Sequence, residues 1–193
     1  MSAGSIRTVA VFTGSSSGSL LAYEHGVIEL GHALADNGVG VVFGGGRVGL
    51  MGTVADAVLR SGGTVTGVIP QALVDREIAH TGLSELEVVA DLHARKLRMS
   101  QLGDAFVALP GGAGTLDELF EAWTWLHLGI HSKPVALYEI AGYWQPLLDM
   151  LDHMVGHGFL APSYRDSLTV ARTPDELLRA LDAWRPPGAA ASA

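Results

Sequence analysis

Three glycine clusters, each set between an apolar run and a segment of helical spacing, constrain this chain more than any other feature. Gly14-Ser15-Ser16-Ser17-Gly18 follows Val9-Ala10-Val11-Phe12. Gly44-Gly45-Gly46, with Gly49 and Gly52 beyond it, follows the run from Val39 to Phe43. Gly111-Gly112-Ala113-Gly114 follows Ala105-Phe106-Val107-Ala108-Leu109. Near-continuous Val-rich runs that alternate with helices indicate parallel strands covered on both faces. Further strands are predicted near 64–69, 86–90, 134–138 and 167–170, and helices near 20–36, 50–61, 92–102, 116–128, 144–156 and 174–184. Thr173-Pro174-Asp175-Glu176 reads as a helix start, with Thr as cap, Pro in the first position and Glu in the third. The expectation is an α/β fold: a Rossmann-like doubly wound parallel sheet, in a single domain over 1–185, with 186–193 as a disordered tail.

Composition narrows the function. Hydrophobic residues make up 48% and charged residues 17%, which excludes a disordered chain. The net charge of −8 argues against nucleic acid or a membrane surface as partner, since both select basic surfaces. The absence of cysteine excludes disulfides, thiolate zinc sites and a cysteine nucleophile. No apolar run approaches the ~18 residues that span a bilayer, and the first residues lack a secretory pattern, so the expected location is cytoplasmic.

In an open parallel sheet, ligands bind beyond the carboxyl ends of the strands. All three glycine clusters fall at such ends. Glycine there lets a phosphate approach the backbone, and the following helix N-terminus supplies N–H groups and partial positive charge. The alternative is that the glycines merely make tight turns; three clusters in one sheet favour an anionic, nucleotide-like ligand. Other motifs are weaker. Gly44-x-Gly46-x-x-Gly49 matches the dinucleotide fingerprint, but the acid expected about 20 residues later is missing, with Asp56 too early and Asp75 too late. Gly14-x-Ser16-x-Gly18 matches a nucleophile elbow, yet serines between glycines equally describe a phosphate loop. His127 and His131, like His153 and His157, have metal-compatible spacing without a third ligand, so no metal is expected. Trp123, Trp125, Trp144 and Trp184 are expected in the core or at an interface.

Two charged segments complete the pattern. Leu92, Met99 and Leu102 form one helical stripe, and Arg95 lies inside its arc, with Lys96 and Arg98 on the flanks. An inward guanidinium needs a partner, and its planar fork suits phosphate or carboxylate. In Leu109-Pro110-Gly111-Gly112-Ala113-Gly114-Thr115-Leu116-Asp117-Glu118 the loop amides and the Thr115 hydroxyl can hold phosphate. Two readings of Thr115-x-x-Glu118 stay open here. It is a capping box, or Glu118 is a functional carboxylate beside an anion site.

Together these pieces resemble the LONELY GUY family, cytokinin-activating phosphoribohydrolases often mislabelled lysine decarboxylases. The resemblance covers roughly 6–165: Val11 to Gly18, Gly44 to Gly52, His93-Ala94-Arg95-Lys96, Pro110 to Glu118, and Trp125 to Pro134. It implies a Rossmann-like homodimer that cleaves a nucleoside 5′-monophosphate to free base and ribose 5-phosphate, without a cofactor. Carried over by position, Arg95 and Glu118 match the catalytic pair. Glu77, Lys96, Gly111, Gly112, Ala113, Gly114, Thr115, Leu116, Asp117 and Thr124 match substrate contacts. Thr13 stands where many members have Cys, a tolerable change beside a phosphate loop; Ala113 stands where an aromatic is common and Asp117 for a frequent Glu, and these two bear on base preference more than on the reaction. Decarboxylation finds no support, because the only lysines, Lys96 and Lys133, sit in no sequence that marks a pyridoxal phosphate site. The alternative function is a non-catalytic nucleotide-binding module. An apolar helix carrying Trp125 and the His127–His131 region is the expected dimer contact.

Overall fold

The computed structural model describes residues 6–75 and 78–186. Glu77 and the tail from 187 onward lie outside the described residues. Seven strands alternate with helices: β1 (Thr8–Phe12), α1 (Leu21–Asp36), β2 (Gly40–Phe43), α2 (Gly49–Arg60), β3 (Val65–Pro70), α3 (Gln71–Val74) and β4 (Glu85–Val89). The second half runs α4 (Leu92–Leu102), β5 (Ala105–Ala108), α5 (Ala113–His127), β6 (Val135–Tyr138), α6 (Gln145–Gly156), α7 (Pro162–Asp166), β7 (Leu168–Ala171) and α8 (Pro174–Ala183). All seven expected strands form. The two helices not foreseen, α3 and α7, have 4 and 5 residues, too few for apolar periodicity to register.

Every strand pair is parallel, in the order β4-β3-β2-β1-β5-β6-β7. The chain winds outward from β1 to β4, then crosses back to lay β5 against the free side of β1. The strand order therefore reverses between β1 and β5, and at such a switch point the following loops diverge and leave a crevice. The first and third glycine clusters follow these two strands.

Strand alternation explains the double burial. Val9 and Val11 face a core completed by Leu30 of α1, Val54 of α2 and Leu177 of α8. Ala10 and Phe12 face the opposite core, completed by Met99 of α4, Leu119 and Trp123 of α5 and Leu148 of α6. Trp123 and Trp144 are fully buried, as expected of core tryptophans. The predicted helix start at Thr173 is present: its Oγ1 accepts from the Glu176 N–H at 3.2 Å, and the Glu176 carboxylate accepts from the Arg172 N–H at 2.8 Å.

The glycine turns are stitched to one another. The Gly14 N–H and the Thr13 hydroxyl both donate to the Pro110 carbonyl at 3.1 Å, and the Met51 N–H donates to the Gly14 carbonyl at 3.2 Å. Gly49, at φ +59°, carries the first turn directly on its Cα; a Cβ there would overlap the Ser15 carbonyl group. Part of the glycine excess thus serves contact between backbones. Gly112 and Gly114 differ, because a Cβ on either would meet nothing within 4 Å.

Candidate active site

Helix α4 starts at Asp91, whose carboxylate accepts from the Ala94 N–H at 2.8 Å. Its one fully buried side chain is Met99, and Arg95, one turn earlier, shares that inward face. Leu92, expected in the same stripe, is instead 56% exposed, because α4 begins at the open rim of the sheet. The helix is held at four points. The Arg98 guanidinium grips Glu87 of β4 with two hydrogen bonds, at 2.6 and 2.8 Å. The Lys96 ammonium lies 2.9 Å from Asp117 and 3.1 Å from Glu121 of α5. Lys133 donates to the Ser100 and Gly103 carbonyls at the far end of α4, at 2.6 and 2.7 Å. The fourth contact is Arg95, whose Nη2 donates to Glu118 Oε1 at 2.8 Å.

Arg95 and Glu118 expose only 13% and 10% of their side chains. The guanidinium lies against Gly44 with its Nη2 end closest: a Cβ there would sit 2.7 Å from Cζ and overlap Nη2. The room that Gly44 leaves, expected to admit phosphate, is occupied by Arg95. The buried Arg95 Nε has no hydrogen-bond partner among the described residues.

The capping-box reading of Thr115 and Glu118 does not hold. Helix α5 begins three residues before the predicted start, at Ala113, with Gly112 as cap residue and no side chain bonded to the helix end. Thr115 and Glu118 therefore lie within the helix, both buried. Burial pushes the Glu118 carboxyl up to about 7; Arg95 and Lys96 pull the other way, and Asp117 and Glu121 add to the rise. Burial also works against the Lys96 charge, but its bonds to Asp117 and Glu121 prevail and hold that ammonium above its ordinary value.

These side chains open onto a cleft of about 540 Å³ at the β1/β5 switch point. Thr13, Gly14 and Ser15 of the first turn line it, with Gly112 to Thr115, Asp117 and Glu118 of the third. Arg95 and Lys96 contribute from α4, and Val48, Met51, Leu73, Ile78 and Leu92 add an apolar wall. The first N–H groups of α5 have no partner within the helix, and their macrodipole favours negative charge there. Gly111 lines an adjoining pocket of about 210 Å³ with Tyr23 and Tyr143. Leu116 and Thr124 lie outside the cleft, in a groove of about 580 Å³ on the outer side of α5 that also contains Asp117. The structure thus gathers Arg95, Lys96, Gly112, Ala113, Gly114, Thr115, Asp117 and Glu118, and leaves Thr124 apart. Sequence reasoning missed the apolar wall, whose residues come from three separate segments, and Tyr143, which reaches Gly111 across 32 positions.

The histidines pack against their neighbours. His131 shares a 2.8 Å hydrogen bond with the Ala122 carbonyl, and His127 packs on the Tyr164 ring. The His153 and His157 rings pack on each other, with centroids 4.2 Å apart.

A family model described as "possible lysine decarboxylase" matches residues 51–181. Over 93% of its length the chain is 47% identical to a probable cytokinin riboside 5′-monophosphate phosphoribohydrolase of Oryza sativa subsp. japonica, covering 74% of that protein. It is 46% identical to a cytokinin riboside 5′-monophosphate phosphoribohydrolase of Arabidopsis thaliana, over 93% of this chain and 83% of that one. A relative of the same name from Rhodococcoides fascians is 46% identical, over 91% of this chain and 89% of its own. The chain belongs to the LONELY GUY family. Its fold also matches the molybdenum cofactor binding protein of Rippkaea orientalis, at TM-score 0.67 and 19% identity over 90% of this chain and 93% of that one. The molybdenum cofactor carrier protein of Chlamydomonas reinhardtii matches at TM-score 0.67 and 21% identity, over 90% and 94% of the two chains. At such identities the likeness is one of fold alone, and it agrees with the parallel α/β architecture of this LONELY GUY family member.

The raised Glu118 carboxyl has a stability consequence. Its ordinary value is 4.5 and its folded value about 7, so burial favours the neutral acid. The stability this contributes is complete below about pH 4.5 and is lost as pH rises through about 7. Glu118→Gln carries no such titration. From about pH 4.5 to pH 8 the variant is expected to gain on the wild type by about 3 kcal/mol, read by urea unfolding at both pH values. A pH-independent difference would show that the carboxyl is not raised.

Proposed function

We propose that this cleft hydrolyses the N-glycosidic bond of N6-modified adenosine 5′-monophosphates, releasing the free base and ribose 5-phosphate. The observation that carries the reading is the buried Arg95–Glu118 pair in the same cleft as the uncapped N-terminus of α5. The names of the relatives supply the substrate class, and the apolar wall of Val48, Met51, Leu73, Ile78 and Leu92 suits an adenine with an apolar N6 substituent.

Cleavage of the bond between C1′ and the base nitrogen develops positive charge on the ribose. A carboxylate against the sugar stabilises that charge, and a phosphate anchored at a distance lets binding energy orient the reacting bond. In this reading the Gly112 to Thr115 amides and the Thr115 hydroxyl hold the 5′-phosphate. Glu118 faces the ribose and takes one proton from the incoming water as its oxygen bonds to C1′; the base departs with the electron pair of the broken C1′–N bond, and the proton is returned to it to give the free base. A carboxyl near 7 is partly ionised at neutral pH and is matched to that transfer. Arg95, bonded to Glu118, orients the carboxylate. Lys96 holds α4 against α5, and Glu77, Gly111, Ala113 and Asp117 remain contacts carried over from the family, whereas Leu116 and Thr124, outside the cleft, take no part in this reading. A charged nucleotide does not cross a membrane unaided, which supports a cytoplasmic location. No helix among the described residues is long and apolar enough to cross a membrane.

A homodimer through the end of α5 belongs to the same reading, because Leu128 and Ile130 are 65% and 64% exposed beside Trp125. Sedimentation equilibrium is expected to give twice the chain mass, and a monomer would remove this part.

Glu118→Gln is expected to fold and to lose turnover by roughly 10²-fold or more, measured as ribose 5-phosphate released from an N6-prenylated adenosine monophosphate. Retained turnover would sink the role of Glu118, and nucleotide binding by the wild type without product would leave a binding module. Gly114→Ala tests the phosphate site, since its Cβ meets no protein atom within 4 Å. Its helix is expected to hold or gain about 1 kcal/mol. KM for the nucleotide is expected to rise about tenfold as the methyl enters the phosphate's space. An unchanged KM would move the phosphate elsewhere.

A further inference from the structure

Tyr143 stands outside the reaction as described, yet its hydroxyl donates a hydrogen bond to the Gly111 carbonyl oxygen. In a trans peptide the C=O of one residue and the N–H of the next point in opposite directions, so a group that fixes the first also aims the second. The two sides of this peptide face different spaces. Gly111 and Tyr143 line the adjoining pocket of about 210 Å³. Gly112 lines both that pocket and the main cleft. Among the described residues no acceptor takes the Gly112 N–H. We propose that Tyr143 is a positioning residue, which pins the Gly111–Gly112 peptide so that the Gly112 N–H points at the anion in the cleft. This inference rests on the placement of the phosphate at the α5 N-terminus.

The segment that presents Tyr143 is built for rigidity. Ala141 has φ 54° and Gly142 φ 79°, and the Tyr143 N–H donates to the Ile140 carbonyl at 3.1 Å, closing a tight turn. Ala141 is the one non-glycine residue with positive φ among the described residues, a conformation that persists only where surrounding contacts enforce it. Those contacts are present. The buried Glu139 carboxylate accepts from the Trp144 N–H at 2.8 Å. The Tyr143 ring stands edge-on to Tyr23, with centroids 5.6 Å apart, and edge-on to Trp144, at 4.9 Å. Donation into the carbonyl also polarises the peptide and strengthens its N–H as a donor.

Tyr143→Phe keeps the ring and removes the hydroxyl. KM for adenosine monophosphate is expected to rise about five- to tenfold with kcat within about twofold, the pattern of an interaction shared by ground and transition states. Calorimetry with ribose 5-phosphate is expected to show the same loss of affinity, while inhibition by adenosine, which lacks the phosphate, stays unchanged. Unchanged ribose 5-phosphate affinity would overturn the proposal. So would an equal loss for adenosine, which reports a packing defect. If the wild type binds ribose 5-phosphate but releases no base, the reaction reading fails and the calorimetric comparison still decides the role of Tyr143. If the wild type binds no ribose 5-phosphate, both fall.

Discussion

A guanidinium taken out of water needs room for its plane and a counter-charge within hydrogen-bond reach. Gly44 provides the first and Glu118 the second, and the rim of this sheet is organised around that requirement. With no side chain on Gly44, the Arg95 guanidinium lies against the backbone after β2 and still meets a carboxylate on α5 at 2.8 Å. The pair crosses the switch point, linking the two halves of the doubly wound sheet. Buried ion pairs contribute little net stability, since desolvation offsets most of the attraction. Holding this one requires α4 to be secured elsewhere, by Arg98 on β4, Lys96 on α5 and Lys133 at its C-terminus. Arg98 and Lys133 act away from the cleft, whereas Lys96 and its partner Asp117 also line it, so one of the frame contacts doubles as a wall of the ligand site.

What remains unsatisfied is equally informative. Most buried polar groups in a folded protein are paired. Among the described residues the buried Arg95 Nε and Glu139 Oε1 are not, and no side chain caps α5. Arg95 and the N-terminus of α5 line one cleft, where burial also raises the Glu118 carboxyl to about 7. Free helix N–H groups beside an acid of raised affinity for protons suit an anionic ligand with a bond to be hydrolysed nearby. They suit a purely structural role poorly, because a structural site would close on itself.

Most of the fold was legible because burial on both faces leaves a simple mark. Val39 to Phe43 and Ala105 to Leu109 are nearly continuous apolar runs, and glycine turns punctuate them. The ambiguity at Thr115 and Glu118 was real, since the same spacing spells a capping box. It was settled by a three-residue shift in where α5 begins, which depends on Gly112 adopting an extended cap conformation against its neighbours. Leu92 misled for a related reason: periodicity places a residue on a helix face but does not say where the sheet beneath it ends.

From the sequence alone came the parallel α/β architecture, the family, and Arg95 and Glu118 as the pair to watch, because periodicity, glycine punctuation and local motifs are properties of neighbours along the chain. Only the tertiary structure decided that these two side chains bond to each other, that Gly44 makes space for a guanidinium, that Thr124 stays outside the cleft, and that Tyr143 reaches Gly111. Those are contacts between segments that the strand order brings together, and their distances depend on how the whole sheet is wound.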